Sequence, residues 1–186
     1  EMTGEGGMPL FDLRQEIERL VLNGEERPAE LAAAHEVGPR CGTMRILEAE
    51  LPAGAAHTLE LEYPVERPQS PRAIDIGWGP NGLTWDTWFS DLNPGRYLEM
   101  WMPSNLLYDR FAFELELELR GLDGDHELVT NGAIEELGRH HWKLSFPPTT
   151  TAFSPMIVVV PAADVERSQS RAKVGGRKFT IDVCRR

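Results

Sequence analysis

Phe113-Glu114-Leu115-Glu116-Leu117-Glu118-Leu119-Arg120 alternates apolar and charged side chains without a break. A helix cannot sort such a run, because residues two apart lie on nearly opposite sides of it, whereas a strand sends every apolar residue to one face and every charge to the other. The segment is therefore a strand with one face buried and one in water, and that face needs a second apolar layer to cover it. The same period recurs in Thr58-Leu59-Glu60-Leu61-Glu62-Tyr63, His141-Trp142-Lys143-Leu144-Ser145-Phe146 and Lys178-Phe179-Thr180-Ile181-Asp182-Val183. Met156-Ile157-Val158-Val159-Val160 reads as a strand covered on both faces.

Weaker strand signals lie at 42–50, 73–77, 97–102, 127–130 and 133–137, separated by turn pairs such as Asp123-Gly124, Asn131-Gly132 and Leu137-Gly138. Leu10, Leu13, Ile17, Leu20 and Val21 recur at helical spacing ahead of Asn23-Gly24, so residues 10–22 are expected to form an amphipathic helix, with a bent strand as the competing reading. Long loops are expected at 64–71 and 162–176. The expectation is a mainly β chain: an antiparallel, two-sheet, sandwich-like domain over residues 41–186. Residues 1–40 form a tail with a possible short helix, part of that domain or flanking it. In this register Leu117→Ala is predicted to cost about 2–5 kcal/mol and Glu116→Ala under about 0.5 kcal/mol; equal costs in a denaturation series would rule the register out.

Composition narrows the function classes. A chain of 186 residues with 41% hydrophobic and 26% charged residues can bury a core without a disulfide or metal staple. Its 30 Asp and Glu against 19 Lys and Arg give a net charge of −11, which argues against a nucleic acid or an anionic lipid surface as partner. The longest apolar stretch, residues 156–163, is far short of the ~20 residues of a membrane helix. Cys41 and Cys184 are too few for a disulfide framework and are read as free thiols. The opening Glu1-Met2-Thr3-Gly4 reads as the start of a trimmed chain.

The catalytic signals are thin. His35-Glu36 and His126-Glu127 each begin H-E-x-x-H, but no histidine follows four residues after the first. His140 and His141 are neighbours at a strand entry; they point to opposite faces and read as a surface pair. A self-contained enzyme would have to assemble His126, His140 or His141 with scattered carboxylates. Four of the five tryptophans, Trp78, Trp85, Trp88 and Trp101, cluster with Phe89 and Tyr97 among Asp75, Asp86, Asp91, Asn93 and Glu99. Trp85 and Trp88 could line a groove for a sugar ring or a peptide, or the cluster could fill a core or a seam against another domain.

The order of elements from about residue 44 to 183 carries a resemblance. Glu50-Leu51-Pro52-Ala53-Gly54 leads into Leu59-Glu60-Leu61-Glu62-Tyr63; then come the strand 113–119, Val129-Thr130-Asn131-Gly132, and Trp142-Lys143-Leu144-Ser145-Phe146. A Pro/Thr/Ser stretch, 147–155, precedes the apolar strand 156–160. This series resembles the N-terminal β domain of the aminopeptidase N-like zinc metallopeptidases. The chain departs from the family's A-R-x-x-F-P-C-x-D-x-P segment: Glu99 stands at the arginine position and Ser104 at the cysteine, with Pro103 retained. Asn93 lies nearest the place from which the family's domain meets a substrate amine. The zinc motif, its downstream glutamate and G-x-M-E-N are absent.

What the resemblance implies is a non-catalytic domain with no catalytic residue, metal ligand or cofactor of its own. Its partner would be the catalytic domain of the same parent chain, where zinc could sit. An end at Cys184-Arg185-Arg186, directly after an expected strand, suits a cut at a domain boundary. The alternative is a stand-alone β-sandwich module that binds carbohydrate or peptide through residues 78–101. Oligomeric state and location are left open.

Overall fold

Asn23 and Gly24 both take left-handed backbone angles, φ 52° and 81°, the geometry of a two-residue hairpin turn rather than of a helix end. Residues 10–22, expected as a helix, are accordingly two strands, β1 (Leu10–Asp12) and β2 (Arg19–Leu22), and Asn23-Gly24 joins β2 to β3 (Glu25–Arg27). The apolar residues that mimic a helical period, Leu13 and Leu20 among them, are fully buried from separate segments. Leu20 sits opposite Leu61 and Leu22 opposite Leu59 across β2 and β6 (Leu59–Glu62). The cross-strand partner thus decides this segment, which local spacing cannot report.

The structure, a computed structural model, describes residues 6–36, 43–66, 76–85, 101–103, 111–148 and 155–185. The chain forms two units, one of Glu1–Ile74 with Trp88–Asp109 and the other of Asp75–Thr87 with Arg110–Arg186. In the first, β4 (Ala34–Glu36) and β5 (Thr43–Ile46) join β1 in the order β1-β5-β4, and β3-β2-β6 form the second sheet. Residues before and after position 40 therefore share one sheet, with Leu10 opposite Ile46. The core is Phe11, Leu13, Leu20, Leu22, Ala32 and Leu47.

In the second unit, β10 (His126–Thr130), β13 (Ile157–Pro161), β8 (Gly82–Trp85) and β7 (Ile76–Gly79) form one antiparallel sheet in that order. β11 (Ala133–Gly138), β12 (His141–Phe146) and β9 (Phe113–Glu118) form the next. β13 lies between two strands and buries Ile157 and Val159 together with Val160, as expected of a strand covered on both faces. Leu117, Trp142, Leu144 and Phe146 line the buried face of β9 and β12, with the Phe113 and Phe146 rings stacked at 4.5 Å. A Cβ on Gly132 would stand 2.8 Å from the Phe146 ring, so packing against that ring favours glycine at this position.

The expectation of a mainly β chain of antiparallel, sandwich-like sheets holds, and Leu117 is 8% exposed while Glu116 lies outward. The loop expected at 162–176 is instead a short 3-10 turn, Ala162–Asp164, followed by β14 (Glu166–Val174). β14 pairs over nine residues with β15 (Arg177–Arg185) through a Gly175-Gly176 turn at φ 57° and 82°. β14 is exposed at all but one position and β15 from Arg177 to Thr180, with Val183 and Cys184 half-buried, so the backbone ladder is paired while β14 shows no core pattern.

Candidate functional site

Histidine chemistry comes closest to assembling where β10 begins and the β11–β12 turn closes. His140 occupies that turn with φ 55° and is 8% exposed, so it is a buried residue and not half of a surface pair. Its Nε2 lies 3.1 Å from the Gly124 carbonyl, and since a carbonyl only accepts, Nε2 carries the proton. The His126 ring meets it edge to face, centroids 5.1 Å apart, and neither His126 nitrogen has a hydrogen-bond partner or reaches solvent. An edge-to-face pair aims the edge of one ring at the π face of the other, whereas chelation needs two in-plane lone pairs converging on one point. His141 points the other way, to Glu116 Oε1 at 2.8 Å on the open face of the sheet.

Among the described residues no group of three His, Cys, Asp or Glu could hold a metal ion. The outward face of β9 and β12 carries exposed pairs instead. Arg120 hydrogen-bonds Glu118 and holds its carboxyl below the ordinary carboxylate range, and Glu114 raises the Lys143 ammonium in the same way. Such solvated pairs contribute little to stability and enclose no reaction space.

A cavity of about 510 Å³ lies in the first unit against Leu22, Leu31, Leu47, Leu51 and His57. Asn23 governs the ring at its edge. Its Oδ1 accepts the Thr58 N–H at 3.0 Å, so its Nδ2 must be the atom 3.1 Å from His57 Nδ1. Nδ2 only donates; His57 Nδ1 is therefore the acceptor and Nε2 bears the proton. That Nε2 is closed off from solvent, which leaves the cavity without a convergent polar group from this ring. Arg27, also at the cavity, is engaged with Glu25 at 2.5 Å.

Beneath this region Arg45, 3% exposed, donates to three backbone carbonyls: Leu13 at 2.9 Å, Ala32 at 2.7 Å and Gln15 at 2.7 Å. Burial lowers its pKa, and Glu16 and Asp12 oppose that shift. A guanidinium serving three carbonyls of different segments is an architectural device, and an arginine inside an apolar run, Met44-Arg45-Ile46-Leu47, is the signal that could have found it. Tyr63 donates to the Trp101 carbonyl at 3.0 Å, and burial pushes its hydroxyl up to about 12.

Trp78 and Trp85 belong to the β7–β8 hairpin of the second unit and Trp101 to the first, where it is 4% exposed and serves as core. Trp88 and Asn93 lie outside the described residues, as do Phe89, Tyr97, Asp75, Asp86, Asp91 and Glu99. Trp85 is half-buried on β8 opposite Ile157. Trp78 is 39% exposed beside a cleft of about 180 Å³ lined by Pro80, Asn81, Leu83, Thr84 and Val159. Cys184 is a free thiol; Cys41 is outside the described residues. No described helix is long and apolar enough to cross a membrane.

Comparison of the chain with protein-family models, with curated proteins and with solved structures finds no match.

Proposed function

We propose that this chain is a non-catalytic β domain of an aminopeptidase N-like zinc metallopeptidase, or of a degenerate relative, whose role is to support and cap a catalytic domain. The observation that carries this reading is the run of elements from β9 to β13. A one-sided strand, a strand ending in the tight Asn131-Gly132 turn, a hairpin ending in Phe146 and an apolar central strand follow one another in the order of the resemblance. The residues present do not fit zinc, since the chain lacks H-E-x-x-H and its described histidines do not converge. The metal would belong to the capped domain, and no chemical step is assigned to this one.

Trp78, exposed beside glycines and a proline, offers an apolar patch of the kind that a neighbouring domain covers. A hydrophobic dye is expected to bind the chain and to bind less after Trp78→Ser. A chain that binds no dye would count against the capping surface. The reading as a whole is tested by the coding sequence beyond Arg186: continuation into H-E-x-x-H with a following glutamate supports it, and an immediate stop overturns it.

The cleft beside Trp78 favours one second reading, a module that stacks a sugar or peptide on that ring. Oligosaccharides and peptides at millimolar concentration would then change the tryptophan fluorescence, and an unchanged signal removes this reading.

A further inference from the structure

The β14–β15 ribbon reverses the charge of the chain that carries it. Between Glu166 and Arg185 there are six Lys and Arg residues against two carboxylates, in a protein of net charge −11. Lys173 lies directly opposite Lys178, an arrangement that like charges disfavour, and Arg171 is on the same face. Among the described residues no carboxylate pairs with Arg171, Lys173 or Lys178. On the other face Val174 and Phe179 are 67% and 48% exposed. Among the described residues, each strand of this two-stranded sheet has one edge without a strand neighbour.

A complementary edge exists elsewhere in the same unit. β11 is the outermost strand of its sheet, is exposed at all six positions, and reads Ile134-Glu135-Glu136-Leu137 with Ile134 47% exposed. Set antiparallel, the start of β15 matches it residue for residue: Arg177 against Glu136, Lys178 against Glu135 and Phe179 against Ile134. The faces agree as well. Ile134 and Glu136 share one face of β11 with Glu135 on the other, and Phe179 and Arg177 share one face of β15 with Lys178 on the other. Two β11 edges meeting each other would instead bring Glu135 and Glu136 into like-charge contact, which blocks the homotypic pairing.

We infer that the β15 edge of one copy adds to the β11 edge of a second copy, with Arg177 and Lys178 set on Glu136 and Glu135. Reciprocal exchange of the two ribbons closes the pair as a symmetric dimer. The net negative charge of the chain that repels a polyanion favours the basic ribbon of another copy, and the exposed Phe179 asks for an apolar partner that a phosphate backbone does not offer. This inference is independent of the metallopeptidase reading.

Sedimentation of the whole chain at low ionic strength is expected to show a concentration-dependent dimer that weakens as salt is added. R177E/K178E should raise its dissociation constant by about tenfold or more. Mixing that variant with E135K/E136R should restore association between the two, since both ribbon contacts are then charge-matched, one with its charges exchanged and the other as in the native chain. All four side chains are exposed, and circular dichroism checks that each variant folds. A monomer at every concentration, a dimer indifferent to salt or charge reversal, or a mixed pair that fails to associate overturns the inference. So does a monomer whose ribbon is instead protected by a polyanion such as heparin.

Discussion

Gly82→Ala is expected to destabilise the second unit by about 3–5 kcal/mol or to prevent its folding, because both the backbone and the space demand glycine. Gly82 has φ 120°, a region closed to side chains, and a Cβ built there would lie 2.0 Å from the Val159 carbonyl oxygen and 2.8 Å from its carbon. Those atoms are backbone in the central strand β13, so relief requires parting β8 from β13 where Leu83 pairs with Val159. That separation would expose Leu83, Ile157 and Val159, all buried. Gly79, the other end of the same hairpin, has nothing within 4 Å of its Cβ position, and Gly79→Ala should change stability by no more than about 0.5 kcal/mol. Urea unfolding followed by tryptophan fluorescence compares the two; similar midpoints would show that β8 does not approach β13 as described.

Arg45→Met is expected to cost about 3–5 kcal/mol in the first unit despite preserving an apolar stem of similar length. The substitution leaves the Leu13, Ala32 and Gln15 carbonyls without their donor, and an orphaned buried acceptor costs about 1–3 kcal/mol. Removing a desolvated cation returns part of that loss, which is why the figure falls short of the sum. Arg45→Lys should not recover the wild-type value, since one ammonium cannot span three carbonyls that a planar guanidinium reaches together. Amide exchange of β1, β4 and β5 should accelerate in both variants. Unchanged protection would mean that the apolar core of Phe11, Leu13 and Leu47 holds these strands without the arginine.

Much of the second unit was legible in the sequence, and the reason is burial on one side. Phe113, Leu115 and Leu117 alternate with Glu114, Glu116 and Glu118 because water lies on one face of β9 and a core on the other. β14 went unread for the opposite reason. Its residues Glu166–Val174 are exposed on nearly all sides, so no alternation of burial is imposed on them, and only the backbone pairing with β15 makes them a strand. Residues 10–22 misled in a third way: an apolar spacing close to the helical period was met by two strands whose partners, Leu59, Leu61 and Ile46, lie far along the chain.

The candidate sites divide along the same line. The absence of H-E-x-x-H, the Asn131-Gly132 turn and the basic tract between Glu166 and Arg185 are properties of the linear chain and were determined by it. Whether the histidines converge, whether a given tryptophan is core or surface, and which proton His57 carries depend on partners distant in sequence; the tertiary structure alone decided that His126 meets His140 edge to face, that Trp101 is core, and that Asn23 fixes the His57 ring. Local pattern records which side of a strand faces water; the direction of a lone pair or the neighbour of a ring is set by long-range packing, which that pattern does not encode.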